Sequence, residues 1–307
     1  MAVSYCVDPD PIFYGTSRTA AGTLFIVLSA VSIALHVLFI AAVRKMAGWE
    51  SNFAFTLLIT MSICAMIRLG NYIICNIIAL CYVDFCSNHH IFTALGSLDL
   101  ASYFSIILIT VLITIHRVVY TIFATRAKNL VQPYFMKGLL VFIAVCFAII
   151  VYFTYPSSTH YHFVPNLLSY DDLAESNFEL LRLAKRVANY TLGGTNIFAY
   201  SIIFTYLYCR HSLSFTTNES RMTLQVALFV SIECMYFIYW EFFEKRVMSI
   251  TGLLTRNLIT LGFYISIILP YLLINKRIQK RIFEILGMKQ KARLVMGSRS
   301  VIICRTV

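Results

Sequence analysis

The sequence predicts an all-α membrane protein, a seven-transmembrane helix bundle with an amphipathic eighth helix. Three observations predict it. Seven apolar stretches are each long enough to cross a bilayer, basic residues gather on alternate connections between them, and a cation-rich segment with one apolar face follows the seventh.

The stretches occupy residues 22–43, 53–75, 92–115, 138–155, 191–209, 222–240 and 251–274. Each approaches or exceeds the ~17 to 25 residues that a helix needs to cross hydrocarbon. Lipid offers backbone amides no partner, so apolar runs of this length are helices. Residues 1–21 read as an extracellular N-terminus, 22–274 as one seven-span bundle domain, and 275–307 as an amphipathic helix and basic tail. No internal repeat and no Pro-, Gly- or Ser-rich linker divides the bundle.

Residues 1–21 carry Asp8 and Asp10 and lack a basic start, which is not the pattern of a cleaved signal peptide. The first span reads as an uncleaved signal-anchor, with Arg44 and Lys45 holding its far end in the cytoplasm. With the N-terminus outside, 17 of the 25 basic residues are cytoplasmic, 6 are external and 2 lie within spans. Acidic residues run the other way, with Glu50, Glu219 and Glu284 inside against nine outside, although they weigh little in such counts. The net charge of +11 is therefore topological rather than a nucleic-acid footprint, and the tail faces anionic membrane lipid.

The longest connection, 156–190, is external. Ser169 followed by Asp172 has the spacing of a helix start, and Leu173, Leu180, Leu181, Ala184 and Val187 recur near helical spacing. The prediction is a helix over 171–190, either continuous with the fifth span or lying on its mouth. After the seventh span, Ile278, Ile282 and Ile285 share a stripe opposite Lys276, Arg277, Lys280 and Arg281, and Gly287 is a natural stop. That pattern is an interfacial helix, lying on the membrane. Trp49 and Trp240 near span ends read as interface anchors.

Four ionisable residues fall inside spans: Arg68, Asp99, Glu233 and Arg256. A charge at the bilayer centre costs about 2.5–3.5 kcal/mol on insertion scales, so each should face the interior and find a partner. At ~1.5 Å per residue, Asp99 lies about 27 Å above Arg117, Arg68 about 24 Å above Asn52, and Arg256 about 30 Å above Lys276. These three share a level in the outer half. Glu233, about 18 Å above Arg221, sits deeper. Asp99, Arg68 and Arg256 are expected to face one cavity between the second, third and seventh helices, with Tyr72, Tyr103 and Tyr264 lining it and Glu233 below.

Seven spans, a third helix ending in Arg117, Pro270 in the seventh and an amphipathic eighth resemble a G-protein-coupled receptor. His116-Arg117-Val118 stands where that family has Asp-Arg-Tyr, and Leu269-Pro270-Tyr271 keeps only the proline of Asn-Pro-x-x-Tyr. Such eroded motifs, the wealth of Tyr and Phe, and the ending Pro270-Tyr271-Leu272-Leu273-Ile274-Asn275-Lys276-Arg277 are similar to the nematode serpentine chemoreceptors. The resemblance implies a receptor for a small molecule or peptide at the plasma membrane of sensory cells, their cilia included, and coupling to a heterotrimeric G protein. It implies that His116 and Arg117, with Arg126, Lys128 and Lys137 of the basic second inner loop, meet that partner. It also sets Asp99 at the separation from Arg117 that the ligand-binding Asp of amine receptors keeps. The competing reading is an ion pair of Asp99 with Arg68 or Arg256. For Arg117 it is a snorkelling, topological cation.

The 156–190 connection has no cysteine, so the disulfide that ties the third helix to this loop in the family cannot form here. An external bond of Cys6 with Cys86 or with Cys81 is open. His89-His90 and His160 with His162 lack the supporting ligands of a zinc site and read as loop histidines. Asn189-Tyr190-Thr191 is an external glycosylation sequon close to the membrane. No nucleotide-binding glycine loop, zinc-hydrolase pair or serine elbow is present, so neither an enzyme nor a cofactor or metal is expected. The alternatives are a small transporter or channel, with the intramembrane charges along its path, or a non-signalling multi-pass membrane protein.

Overall fold

The computed structural model describes residues 12–49, 52–84, 86–123, 133–155, 161–172, 178–209, 218–243 and 249–288. Helix α1 spans Gly15–Arg44, α2 Phe53–Leu80, α3 His89–Ile122 and α4 Pro133–Thr154. A hairpin of β1 (Tyr161–Val164) and β2 (Ser169–Asp172) follows. Then come α5 (Phe178–Cys209), α6 (Asn218–Ile238) running into a π-helical turn Tyr239–Phe243, α7 (Ile250–Ser266), α8 (Leu269–Ile274) and α9 (Lys276–Ile285). Among the described residues the fold is all-α apart from that one hairpin. Helices α1, α2, α3 and the Tyr134–Thr154 part of α4 are long and apolar enough to cross a membrane.

Polarity is distributed as in a protein whose outer solvent is lipid. The buried set includes Ser29, Ser32, His36, Ser62, Arg68, Asn71, Asn76, Ser97, Asp99, Ser102, Ser105, Thr110 and Thr114. The outer faces present Val27, Val31 and Val37 of α1 and Val141, Phe142, Val145, Ile149, Tyr152 and Phe153 of α4. Soluble monomers rarely expose contiguous apolar surface on this scale, whereas helices in lipid keep polar side chains for their mutual contacts.

Helix α3 is the hub, packing on α2, α4, α5 and β1, while α1 packs on α2, α7 and α9. Helix starts are satisfied by side chains where the sequence provides them. Asn52 accepts from the Phe55 amide at 3.3 Å, Ser249 from Gly252 at 3.1 Å, and Asn275 from Arg277 and Ile278 at 3.1 and 3.3 Å.

The seventh apolar stretch is two helices rather than one. Pro270 lacks an amide hydrogen and its ring displaces the carbonyl four residues back, so the ladder breaks across Ile267 and Ile268. Pro270 then sits in the first turn of α8, where it is tolerated. Gln225 of α6 reaches the Pro270 carbonyl at 3.4 Å, across the break.

The predicted helix over 171–190 is corrected in its first part. Ser169 and Asp172 belong to β2, paired Tyr161↔Asp172 and Val164↔Ser169; Leu173 lies outside the described residues, and the described helix runs from Phe178. Tyr161-His162-Phe163-Val164 is aromatic and β-branched, and Pro165-Asn166 with Leu168 at φ +50° turns the chain back. The hairpin is sunk into the bundle, with Tyr161, Phe163, Val164, Leu167, Leu168 and Tyr170 all buried.

Helix α9 matches its predicted pattern. Ile278 is fully buried against the bundle, Gln279 Nε2 donates to the Leu272 and Leu273 carbonyls, and Arg281 pairs with Glu284 at 2.6 Å. Gly287, at φ +68°, closes the helix: its amide bonds Glu284 and the Met288 amide bonds Phe283, the double closure a left-handed residue permits.

Candidate functional site

Arg68 of α2 and Asp99 of α3 meet where the helical rise places them, with Nε 2.6 Å from Oδ1 and both side chains buried. A second Arg68 nitrogen donates to the Tyr264 hydroxyl of α7. The guanidinium also lies over the rings of Tyr103 and Tyr264, at 5.4 and 4.9 Å. His36 Nε2 sits 3.1 Å from the Tyr264 carbonyl, which can only accept, so that nitrogen carries the proton. Three helices thus converge on one cation, and α1 braces the third of them through His36.

The other oxygen of Asp99 is held from outside the bundle. Tyr161 of β1 donates to Oδ2 at 2.8 Å. Burial, and then the Asp99 charge, push the Tyr161 phenol well above its usual range, which keeps it a donor. Tyr161 stacks on Tyr170 at 5.7 Å and 16°, Tyr170 meets Tyr72 edge-on at 5.5 Å, and the Tyr170 hydroxyl lies 3.2 Å from Cys75 Sγ.

A two-stranded sheet leaves backbone groups unpaired, and when buried they need partners. Arg256 Nη2 donates to the Tyr170 carbonyl at 2.8 Å and Asn257 Nδ2 to Leu168 at 3.2 Å. The Ile12 amide donates to Asn166. On the α3 side the approach is closest at Gly96, where a Cβ would stand 2.2 Å from the Tyr161 carbonyl oxygen. Only glycine lets strand and helix backbones come together there.

Arg256 therefore does not join Arg68 at Asp99. It shares their level, but its guanidinium serves the hairpin and lies over the Trp240 ring at 5.4 Å. Trp240 is in the π-helical turn, and its ring meets a cation from α7.

A cavity lies deeper than the ion pair, between α3, α5, α6 and α7 rather than between the second, third and seventh helices. Tyr103, Thr110, Asn189, Gly193, Asn196, Glu233 and Tyr264 are among its lining residues, whereas Arg68, Asp99, Arg256 and Tyr72 are not. Its free volume is about 20 Å³, of the order that one water requires. Asn196 Nδ2 donates to Glu233 Oε2 at 2.5 Å, and Thr114 Oγ1 donates to Asn196 Oδ1 at 2.6 Å. Tyr200 is bonded to Thr114 in turn. Asn189, the sequon residue, faces inward and accepts from the Tyr103 hydroxyl at 2.5 Å. Sequence reasoning passed over Asn196. A lone amide within an otherwise apolar span was the available signal, by the argument that singled out the four charges.

At the opposite end of α3, His116 and Arg117 point to different neighbours. His116 stacks between Phe53 and Tyr120, at 4.8 and 4.3 Å. Arg117 is bonded to the Tyr271 hydroxyl beside Pro270. Arg126 and Lys128 lie outside the described residues, and Lys137 is exposed on α4.

Cys86 is disulfide-bonded and Cys81 is a free, exposed thiol, so of the two alternatives the bond falls to Cys86, with its partner outside the described residues. Beside it, the Ser87 hydroxyl and amide both donate to Asp84 and hold that carboxyl below its ordinary range. His89 lies 6.2 Å from both His90 and His162, ring to ring, and among the described residues no group of His, Cys, Asp or Glu is arranged to hold a metal ion. Compared with known protein families and with curated proteins, the chain matches none.

Proposed function

We infer that the chain is a seven-span chemosensory receptor that binds a small molecule or peptide from the outer side and signals to a heterotrimeric G protein. In this reading the hairpin lies outside, α9 lies on cytoplasmic-leaflet lipid, and the protein resides in the plasma membrane, with sensory-neuron cilia as the site the family resemblance implies. The observation that carries it is the Tyr161–Asp99–Arg68–Tyr264 chain, which links an external segment to helices α2, α3 and α7 through one buried charge pair. A ligand that displaces the hairpin strips Asp99 of a donor and changes the balance of contacts at Arg68. A protein responds to a ligand only through such a differential interaction. The other end of α3 carries Arg117, bonded to the residue after the α7–α8 break.

A transporter is served less well. Its charges would line a route, whereas here Arg68 and Asp99 neutralise one another and Arg256 is bound to a strand carbonyl. The deciding experiment is a G-protein reporter screen of volatile and water-soluble odorants in cells expressing the chain, with parallel recordings of current and substrate flux. Ligand-dependent reporter activation supports the receptor. Ligand-independent current or flux without reporter activation overturns it.

A further inference from the structure

Glu233 is 5% exposed, and its two carboxylate oxygens are unequal. Oε2 takes the Asn196 amide, while Oε1 has no hydrogen-bond partner among the described residues. The direction of the Asn196 bond is fixed from behind. Thr114 gives its proton to Oδ1, which leaves only the amide nitrogen to face the carboxylate. The Thr110 hydroxyl donates to Met61 Sδ at 3.6 Å and is also within reach of the Glu233 carboxyl, as that group's second polar neighbour after Asn196. Among the described residues lining the cavity there is no Lys or Arg, and Glu233 is the one carboxyl.

An isolated buried carboxylate is costly unless a proton or a cation joins it. The wall around Oε1 favours an organic cation over a metal ion. Tyr103, Tyr236, Phe237, Phe263 and Tyr264 supply ring faces, which attract ammonium groups. A hard inorganic cation wants a shell of about six oxygens, and this wall is chiefly rings and apolar side chains. Tyr103 spends its proton on Asn189, so its oxygen is left to accept a second ammonium hydrogen. Asp99 offers no comparable place, because Arg68 and Tyr161 occupy both of its oxygens.

We propose that the cavity between α3, α5, α6 and α7 is a binding site for a small primary alkylammonium, anchored on Glu233 Oε1 and caged by the tyrosine and phenylalanine rings. This deepens the receptor reading by naming the ligand class, and places the anchor on α6 instead of on Asp99. The free volume is that of about one water, so even the smallest alkylammonium enters only as the helices part.

The test is direct binding to the full chain in lipid nanodiscs, read as thermal shift and calorimetry with methylammonium and ethylammonium, against sodium and tetramethylammonium at equal ionic strength. The expected result is saturable stabilisation by the two primary ammonium ions, with affinity weakened at least tenfold in Glu233→Gln. Gly193→Leu is the companion variant, since it leaves the carboxylate intact and adds bulk at a lining residue where an added Cβ meets nothing within 4 Å. It should weaken binding as strongly. Equal binding by either variant, equal stabilisation by sodium, or no ammonium binding at all overturns the proposal. Because binding needs no G protein, the two readings fail separately: ammonium binding without a cellular response sinks the receptor, and a response to neutral ligands alone sinks the ammonium site.

Discussion

The Tyr161 hydroxyl donates to Asp99 Oδ2 across 2.8 Å and so ties the hairpin to the charge pair at the centre of the bundle. Tyr161→Phe removes that donor and leaves the ring stack with Tyr170 in place. A hydrogen bond to a charged group is worth about 1.5–3 kcal/mol, so the variant should melt lower in nanodiscs. Hydrogen exchange should rise over 161–172 while α1 and α2 keep their protection. Unchanged exchange in the hairpin would show that packing alone holds it.

Breaking the ion pair should cost more. Asp99→Ala strands the Arg68 guanidinium in a buried site, and such losses run to ~3–5 kcal/mol. Asp99→Ala should therefore reach the cell surface poorly, and Arg68→Met combined with Asp99→Leu should recover much of the loss, since apolar replacement of both partners removes the stranded charge. Surface labelling of the single and double variants measures this. A double variant no better than the single would mean that the pair is not the unit of stability.

Gly96→Ala tests the closest backbone contact. A Cβ 2.2 Å from the Tyr161 carbonyl cannot be accommodated without moving strand or helix, and overpacking of this kind costs about 1–3 kcal/mol. The expected signature is faster proteolysis within 161–172, with helical circular dichroism retained. Wild-type resistance in the hairpin would contradict the close approach.

The bundle was legible because lipid imposes one rule, and runs of apolar residues as long as 22–43 or 92–115 have no other reading. Rise per residue also brought Arg68 and Asp99 to one height. Height does not say which way a side chain points, and so it could not choose Arg68 over Arg256. That choice depends on the hairpin, whose carbonyl at Tyr170 takes Arg256. The hairpin itself was hidden because its strands are four residues each and the β1 side chains are buried without alternation, while Ser169 and Asp172 mimic a helix cap. Pro270 was visible, but the position of the break it causes was not.

Topology carries a prediction of its own. The proposed orientation, with 17 cations on one side against 6 on the other, would put the α9 end inside and the hairpin end outside. In intact cells an N-terminal tag should be cut by added protease and a C-terminal tag protected. Protection of the N-terminal tag with exposure of the C-terminal one would reverse the bundle and end the G-protein reading.

Coupling rests on Arg117. Its guanidinium is bonded to Tyr271, one residue beyond Pro270, so a shift at the α7–α8 break alters the restraint on this cation directly. His116 faces the other way, between Phe53 and Tyr120, and is not placed to take over that contact. Arg117→Ala should abolish reporter signalling while surface level and ligand binding hold. Arg117→Lys separates charge from geometry, because lysine keeps the cation but not the planar fork, and should signal weakly. Tyr271→Phe frees Arg117 without removing it and should raise basal signalling if the bond restrains the inactive state. Full signalling by Arg117→Ala would leave this arginine as a topological anchor, with the receptor reading resting on the hairpin and the charge pair alone.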